Sequence, residues 1–157
     1  MKVVRRSDGL KLEAFISEVV ATDYKLVVDS RQYLFDWRLE RFSDVYKLTL
    51  ASDSEQILGM MSLDDYPEQE RLNINQLEVN RANRGRNKLV DGVAGCLIAY
   101  AARRSFSLGY GGMVTLESKY KLIEHYQTAY GFIDAGHVMV IYGPQSSKLI
   151  SKYLEDE

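Results

Sequence analysis

Leu72-Asn73-Ile74-Asn75-Gln76-Leu77-Glu78-Val79 leads through a polar, basic stretch, Asn80 to Asp91, into Gly92-Val93-Ala94-Gly95-Cys96-Leu97-Ile98. Leu72 and Ile74 share one face of a strand by twos, and so do Leu77 and Val79, but the step from 74 to 77 is odd. A β-bulge near Asn75-Gln76-Leu77 would keep both pairs on the core side; a strand covered on both faces would satisfy the same pattern. Beyond Gly92, the residues Ala94, Leu97, Ile98, Ala101, Ser105 and Leu108 recur at three- and four-residue spacing. They predict a long helix ending at Gly109. Met113 to Leu116 then reads as a short buried strand. A strand, a long helix and a second strand make a parallel pair with a right-handed crossover.

Upstream, Lys2 to Arg5 and Val45 to Ala51 read as strands. Ser52-Asp53-Ser54-Glu55 reads as a turn, and Ile57 to Leu63 as a strand covered on both faces. Ser7 or Asp8 is positioned to cap a helix carrying Leu10, Leu12, Phe15, Ile16, Val19 and Val20, and a shorter helix is expected within residues 24–44. Downstream, a helix with Leu122, Tyr126 and Ala129 or Tyr130 on one side stops at Gly131. Val138 to Tyr142 is a strand, and residues 146–154 are a last amphipathic helix. The fold class is α/β (α+β): one domain over residues 1–157, a mixed, mostly antiparallel sheet with helices on both faces.

Composition narrows the function. The chain has 157 residues, with Lys+Arg 20 against Asp+Glu 22 and a formal charge of −2, which gives no electrostatic case for nucleic acid. One cysteine and two histidines cannot build an ordinary structural zinc site, so no metal is expected. No apolar run is long enough for a signal peptide or a membrane span, and a reduced, cytoplasmic protein is expected.

Chemistry concentrates at the junction before the long helix. Gly92, Ala94 and Gly95 let backbone approach a ligand, and the free amides of a helix start suit an anion such as pyrophosphate. Arg81, Arg84, Arg86, Lys88, Arg103 and Arg104 stand against Asp91 alone between residues 81 and 104. Close helix–sheet packing accounts for the glycines equally well, and solvation for the arginines.

These residues resemble the cofactor-binding core of the GNAT superfamily of acetyl-coenzyme A-dependent N-acetyltransferases. That family's signature, [Gln/Arg]-x-x-Gly-x-[Gly/Ala] after the fourth strand, is similar to Gly92-Val93-Ala94 with Leu89 at its first position. A second register starting at Arg84-Gly85-Arg86 supplies the arginine but puts Asn87 and Leu89 where small residues belong. Tyr126 and the later Tyr130-Gly131-Phe132 are similar to the family's tyrosine and terminal Gly-Phe. Tyr126 lies five residues before Gly131, where the family commonly has four. The bulge fits as well, since the family's fourth strand carries one near the acetyl group.

The resemblance implies direct acetyl transfer from acetyl-CoA to the primary amine of a small molecule or peptide, in a ternary complex. It implies that a parallel fourth and fifth strand, ending near Val79 and Leu116, splay around the pantetheine. Backbone at Leu77 and Val79 would bind the pantetheine and polarise the thioester. Amides from Val90, Asp91, Gly92, Val93, Ala94 and Gly95 would hold the pyrophosphate, and Arg84, Arg86 or Lys88 a further phosphate. Tyr126 would protonate the departing thiolate, and Glu78, directly or through water, would serve as base. Dimers are common in the superfamily, so a homodimer stays open. A non-catalytic acyl-CoA-binding or protein-interaction module on the same fold is the alternative. Cys96 reads as packing, and His125 and His137 as surface or edge residues. The acids Asp64, Asp65, Glu68, Glu70 and Glu78 would either attract a cationic amine or form a solvated hairpin.

Overall fold

A computed structural model describes residues 1–118 and 120–155. Among them are nine strands in one sheet and four α-helices. The strands are β1 (Lys2–Arg5), β2 (Lys11–Glu18), β3 (Asp44–Leu50), β4 (Asp53–Tyr66), β5 (Arg71–Val79), β6 (Val90–Asp91), β7 (Val114–Leu116), β8 (Ile133–Asp134) and β9 (Met139–Ile141). The helices are α1 (Ala21–Ser30), α2 (Val93–Ser107), α3 (Ile123–Tyr130) and α4 (Gly143–Tyr153). Across the sheet the order is β6-β1-β2-β3-β4-β5-β7-β9-β8. β5 and β7 run parallel, and the other pairings are antiparallel.

The parallel pair consists of the two segments expected from the sequence, but they are the fifth and seventh strands, not the fourth and fifth. Two strands account for the difference. The helix expected over residues 10–20 is β2. Leu12, Ala14 and Ile16 alternate inward while Lys11, Glu13, Phe15 and Ser17 are exposed, a period of two that the apolar Phe15 masked in the sequence. The short β6 lies inside the basic stretch and pairs with β1 through Val4↔Asp91 and Arg5↔Val90. The helix expected within 24–44 is α1, which begins earlier, followed by a 3-10 turn over Trp37–Glu40.

The bulge lies where the apolar phase slips. Gln76 pairs with Ser62 and Ile74 with Leu63, so Asn75 is the extra residue. Leu72, Ile74, Leu77 and Val79 therefore all join the core cluster built with α2 and α4. α2 sits directly on β4 because residue 59 is glycine: a Cβ there would lie 2.7 Å from Val93 Cγ1. On the opposite face, Val27, Trp37, Val45, Ile57 and Met60 form a smaller cluster under α1 and the 3-10 turn. α1 is tied to β3 by a buried ion pair, Lys47 Nζ to Asp23 Oδ1 and Oδ2 at 2.9 and 2.8 Å. Asp23 also accepts the Val20 amide at 2.8 Å, closing the helix start. No helix among the described residues is long and apolar enough to cross a membrane.

Candidate active site

The pairing of β5 with β7 stops at Ile74↔Leu116, while β5 continues to Val79 along β4. Past Leu116 the two strands part around a cavity of about 140 Å³, lined by residues 74–77 and 116–118 together with Leu122 and Tyr126. The Asn80 amide donates to the Leu58 carbonyl at 2.9 Å. By antiparallel alternation, Gln76 and Glu78 then bond toward β4, and the backbone groups of Leu77 and Val79 face the gap. The bulge at Asn75 makes this phase possible: it turns the Leu77 and Val79 side chains inward and leaves their backbone free.

Tyr126 reaches this cavity from α3. Its ring stacks edge-on with Phe132, centroids 5.7 Å apart, and lies 6.0 Å from Tyr130. The hydroxyl makes no hydrogen bond with a described residue. Burial pushes the phenol above its ordinary value, which keeps the proton on oxygen. A neutral hydroxyl without a partner at the apex of a gap is equipped to donate a proton there.

Glu78 has a different place from Tyr126. Its carboxylate accepts the Leu34 amide at 2.7 Å, the Phe35 amide at 3.3 Å, the Trp37 indole N–H at 2.9 Å and the Arg84 guanidinium at 3.3 Å. The side chain is 10% exposed. Three of the four donors make it the anchor of the segment from Leu34 to Trp37, which leads on to Glu40, whose Oε1 accepts the Ser62 hydroxyl at 2.6 Å.

The basic stretch is folded tightly. The Val90 amide donates to Asn83 Oδ1 at 2.9 Å, and Asn83 Nδ2 to Asn80 Oδ1 at 2.7 Å. Lys88 pairs with Asp91 at 3.4 Å, and Asp91 Oδ1 also accepts the Gly92 amide at 3.0 Å. The Arg86 carbonyl accepts Arg6 at 2.9 Å, leaving its guanidinium exposed and unpaired among the described residues. Gly92, with φ of 97°, turns the chain into α2 in a conformation that favours glycine. The amides of Val93, Ala94 and Gly95 have no acceptor among the described residues. A Cβ at Gly95 would overlap the Tyr153 ring, so this glycine serves helix packing. Val93 lies over Gly59, whose cross-strand partner is Val79, so the start of α2 lies near the open end of β5.

On the face away from α2, β5 carries a polar chain. Arg71 Nη1 donates to Thr115 Oγ1 at 2.6 Å, and Thr115 Oγ1 to Asn73 Oδ1 at 2.8 Å. Asn73 Nδ2 donates to Asn75 Oδ1 at 2.8 Å, and Ser43 Oγ to Asp64 Oδ1 at 2.9 Å. The sequence reading passed over Glu117, which lines the cavity just past β7. The signal was its place as the first residue beyond the C-terminal end of a parallel strand, where open α/β sheets bind ligands. A larger cavity, about 630 Å³, lies between α1 and the start of β4, and none of the expected site residues lines it.

No protein-family model and no curated protein sequence matches the chain. Solved structures do. Ard1 from Thermoplasma volcanium is similar at 16% identity, over 84% of this chain and 99% of that one, with a TM-score of 0.60. A spermidine N-acetyltransferase SpeG chimera from Vibrio cholerae and hSSAT is similar at 16% identity, over 92% and 99%, with a TM-score of 0.62. AtaTR bound with AcCoA is similar at 16% identity, over 88% and 98%, with a TM-score of 0.58. The fold is that of the GNAT acetyltransferases. A gap with free strand amides, a helix start with free amides and an unpaired arginine can receive an extended ligand that carries negative charge. Among the described residues no group of three or more His, Cys, Asp or Glu is placed to hold a metal ion.

Proposed function

We propose that the protein transfers an acetyl group from acetyl-CoA to the primary amine of a small molecule or peptide, directly and within a ternary complex. The observation that carries this reading is the gap between β5 and β7, with the free backbone of Leu77 and Val79 on its wall and the free Tyr126 hydroxyl at its cavity. Acetyl-CoA supplies an activated thioester. Leu77 and Val79 pair with its pantetheine amides as a missing strand would, and an N–H of that wall polarises the thioester carbonyl. The amides of Val93, Ala94 and Gly95 receive the diphosphate, with Val90, Asp91 and Gly92 shaping the turn and Arg86 adding charge. Arg84 and Lys88 reach a further phosphate by exchanging their partners Glu78 and Asp91. Tyr126 gives its proton to the departing thiolate. With its oxygens held by four donors, Glu78 acts in this proposal by fixing the Leu34–Glu40 segment. The likeness in fold to a spermidine N-acetyltransferase supports an amine acceptor.

A second reading, an acyl-CoA-binding module without transfer, is favoured by the pairing of Arg84 and Lys88 with carboxylates. Isothermal titration with acetyl-CoA and with dephospho-CoA tests the cofactor. Micromolar binding, weaker for dephospho-CoA, is expected, and binding of neither removes both readings. Acetylation of an amine panel by the loaded protein then separates enzyme from module.

A further inference from the structure

Tyr126 provides an acid in the gap, but an amine acceptor also needs a base. An aliphatic amine has a pKa near that of lysine, about 10, so at neutral pH it is an ammonium ion without a nucleophilic lone pair. Something in the gap must take its proton. Glu78, Glu40 and Asp64 each accept hydrogen bonds from neighbouring groups. Glu117 does not: it lines the same cavity as Tyr126 and makes no hydrogen bond or ion pair with a described residue. Strand alternation carries Thr115 and Glu117 to the polar face, where Thr115 meets Arg71 and Asn73. Tyr126 belongs to the cluster on the other face, with Phe132 and Tyr130. The cavity thus has a free carboxylate on one face of the sheet and a free hydroxyl on the other.

We propose that Glu117 is the catalytic base, binding the ammonium group of the acceptor and taking its proton as the nitrogen attacks. This rests on the acetyltransferase reading. An N–H bond of the ammonium breaks, with the proton passing to the Glu117 carboxylate. The nitrogen lone pair forms the N–C bond to the acetyl carbon. The C–S bond breaks with its electron pair going to sulfur, and sulfur takes the Tyr126 proton. The second proton lost by nitrogen returns to the Tyr126 oxygen through water, and Glu117 releases its own to solvent. One amide, one thiol and one free proton result. Acceptor approach from the polar face and thiol departure on the apolar face follow from the placement of the two groups. The acceptor class is therefore a cationic aliphatic amine.

The test compares wild type with Glu117→Gln, using butylamine and 1,4-diaminobutane as cationic acceptors and hydroxylamine, which is unprotonated at neutral pH. Acetyl-CoA affinity is measured by titration, and folding by circular dichroism. Glu117→Gln is expected to keep acetyl-CoA affinity, to slow transfer to both alkylamines about 100-fold and to change transfer to hydroxylamine by about threefold or less. Glu117→Asp should recover part of the alkylamine rate. Equal losses with all acceptors, or no loss with any, overturn the base assignment while leaving the acetyltransferase reading in place. A wild-type protein that fails to bind acetyl-CoA, or binds it and acetylates none of the three, overturns the underlying reading and this one with it.

Discussion

The two faces of the β4–β5 sheet are built differently. Toward α2 and α4, Leu58, Met61, Leu63, Leu72 and Ile74 meet Leu97, Ile98, Ala101 and Leu149 in one continuous buried cluster. Toward α1, apolar contact is confined to a small cluster around Trp37, and beyond it the strands present Ser62, Asp64, Asn73, Asn75 and Thr115, each in a side-chain hydrogen bond. The first face gains from the hydrophobic effect in proportion to the area it removes from water. The second face gains little that way, because its polar groups only exchange water for one another. Stability therefore resides mainly on the first face. On the second face Glu78 is the joint, a carboxylate that keeps the apolar Trp37 segment in place.

Removing that joint gives the largest expected effect. Glu78→Ala leaves the Leu34 and Phe35 amides, the indole N–H of buried Trp37 and a guanidinium without their acceptor, at a cost of about 3 kcal/mol. For a chain of this size the melting temperature should fall by roughly 10 °C, as a thermal scan would read. The variant should also raise the KM for an acceptor amine, because the released segment carries Glu40 away from Ser62. A Glu78→Ala protein with wild-type stability would mean that the polar face supports itself without this anchor.

Next in size is Tyr126→Phe, which should lower kcat about 100-fold while leaving acetyl-CoA affinity unchanged, since the hydroxyl has no partner to lose. The pH profile sharpens the point. The phenol acts while protonated, and burial raises its pKa. Activity should therefore persist through the ordinary tyrosine range near 10 and fall as pH rises through the higher, folded-state value. Tyr126→Phe should lose that alkaline limb. An unchanged limb would assign it to another group.

How much of this the sequence foretold depends on the element. Along β5 and α2, period and punctuation agreed with the structure: the odd step from Ile74 to Leu77 is the bulge, and Gly92 and Gly109 flank α2. The first strand after β1 failed because Phe15, 55% exposed, is apolar on the solvent side of β2 and so mimics a helical stripe. β6 was hidden because two residues in a basic loop carry no period, and only pairing with β1 makes them a strand. At the candidate site, residue types were legible but partners were not. Nothing local to Glu78 announces donors that lie 41 to 44 residues earlier in the chain. Gly95 matched a ligand-loop pattern, yet its neighbour is Tyr153, at the far end of the last helix. Contacts that join distant segments are where a single sequence falls silent.

The smallest expected effect tests how completely the apolar face is sealed. Cys96 is fully buried, and its thiol lies against the carbonyls of Lys2 and Tyr153 at 3.9 and 3.7 Å. Burial pushes the thiol pKa up to about 12. Reaction with a disulfide reagent needs the thiolate, so at pH 8 the native protein should resist labelling that the unfolded chain undergoes freely. The linkage has a definite sign. The folded state keeps a proton that the unfolded thiol gives up near its ordinary value of about 9, so this contribution to stability is full below that pH and declines as pH rises toward 12. Labelling should then follow the unfolding transition in urea, and begin in the native baseline only if the cluster opens locally. Fast labelling at pH 8 without urea would show that the face credited with stability is open at its centre, and the contrast between the two faces would fail there first.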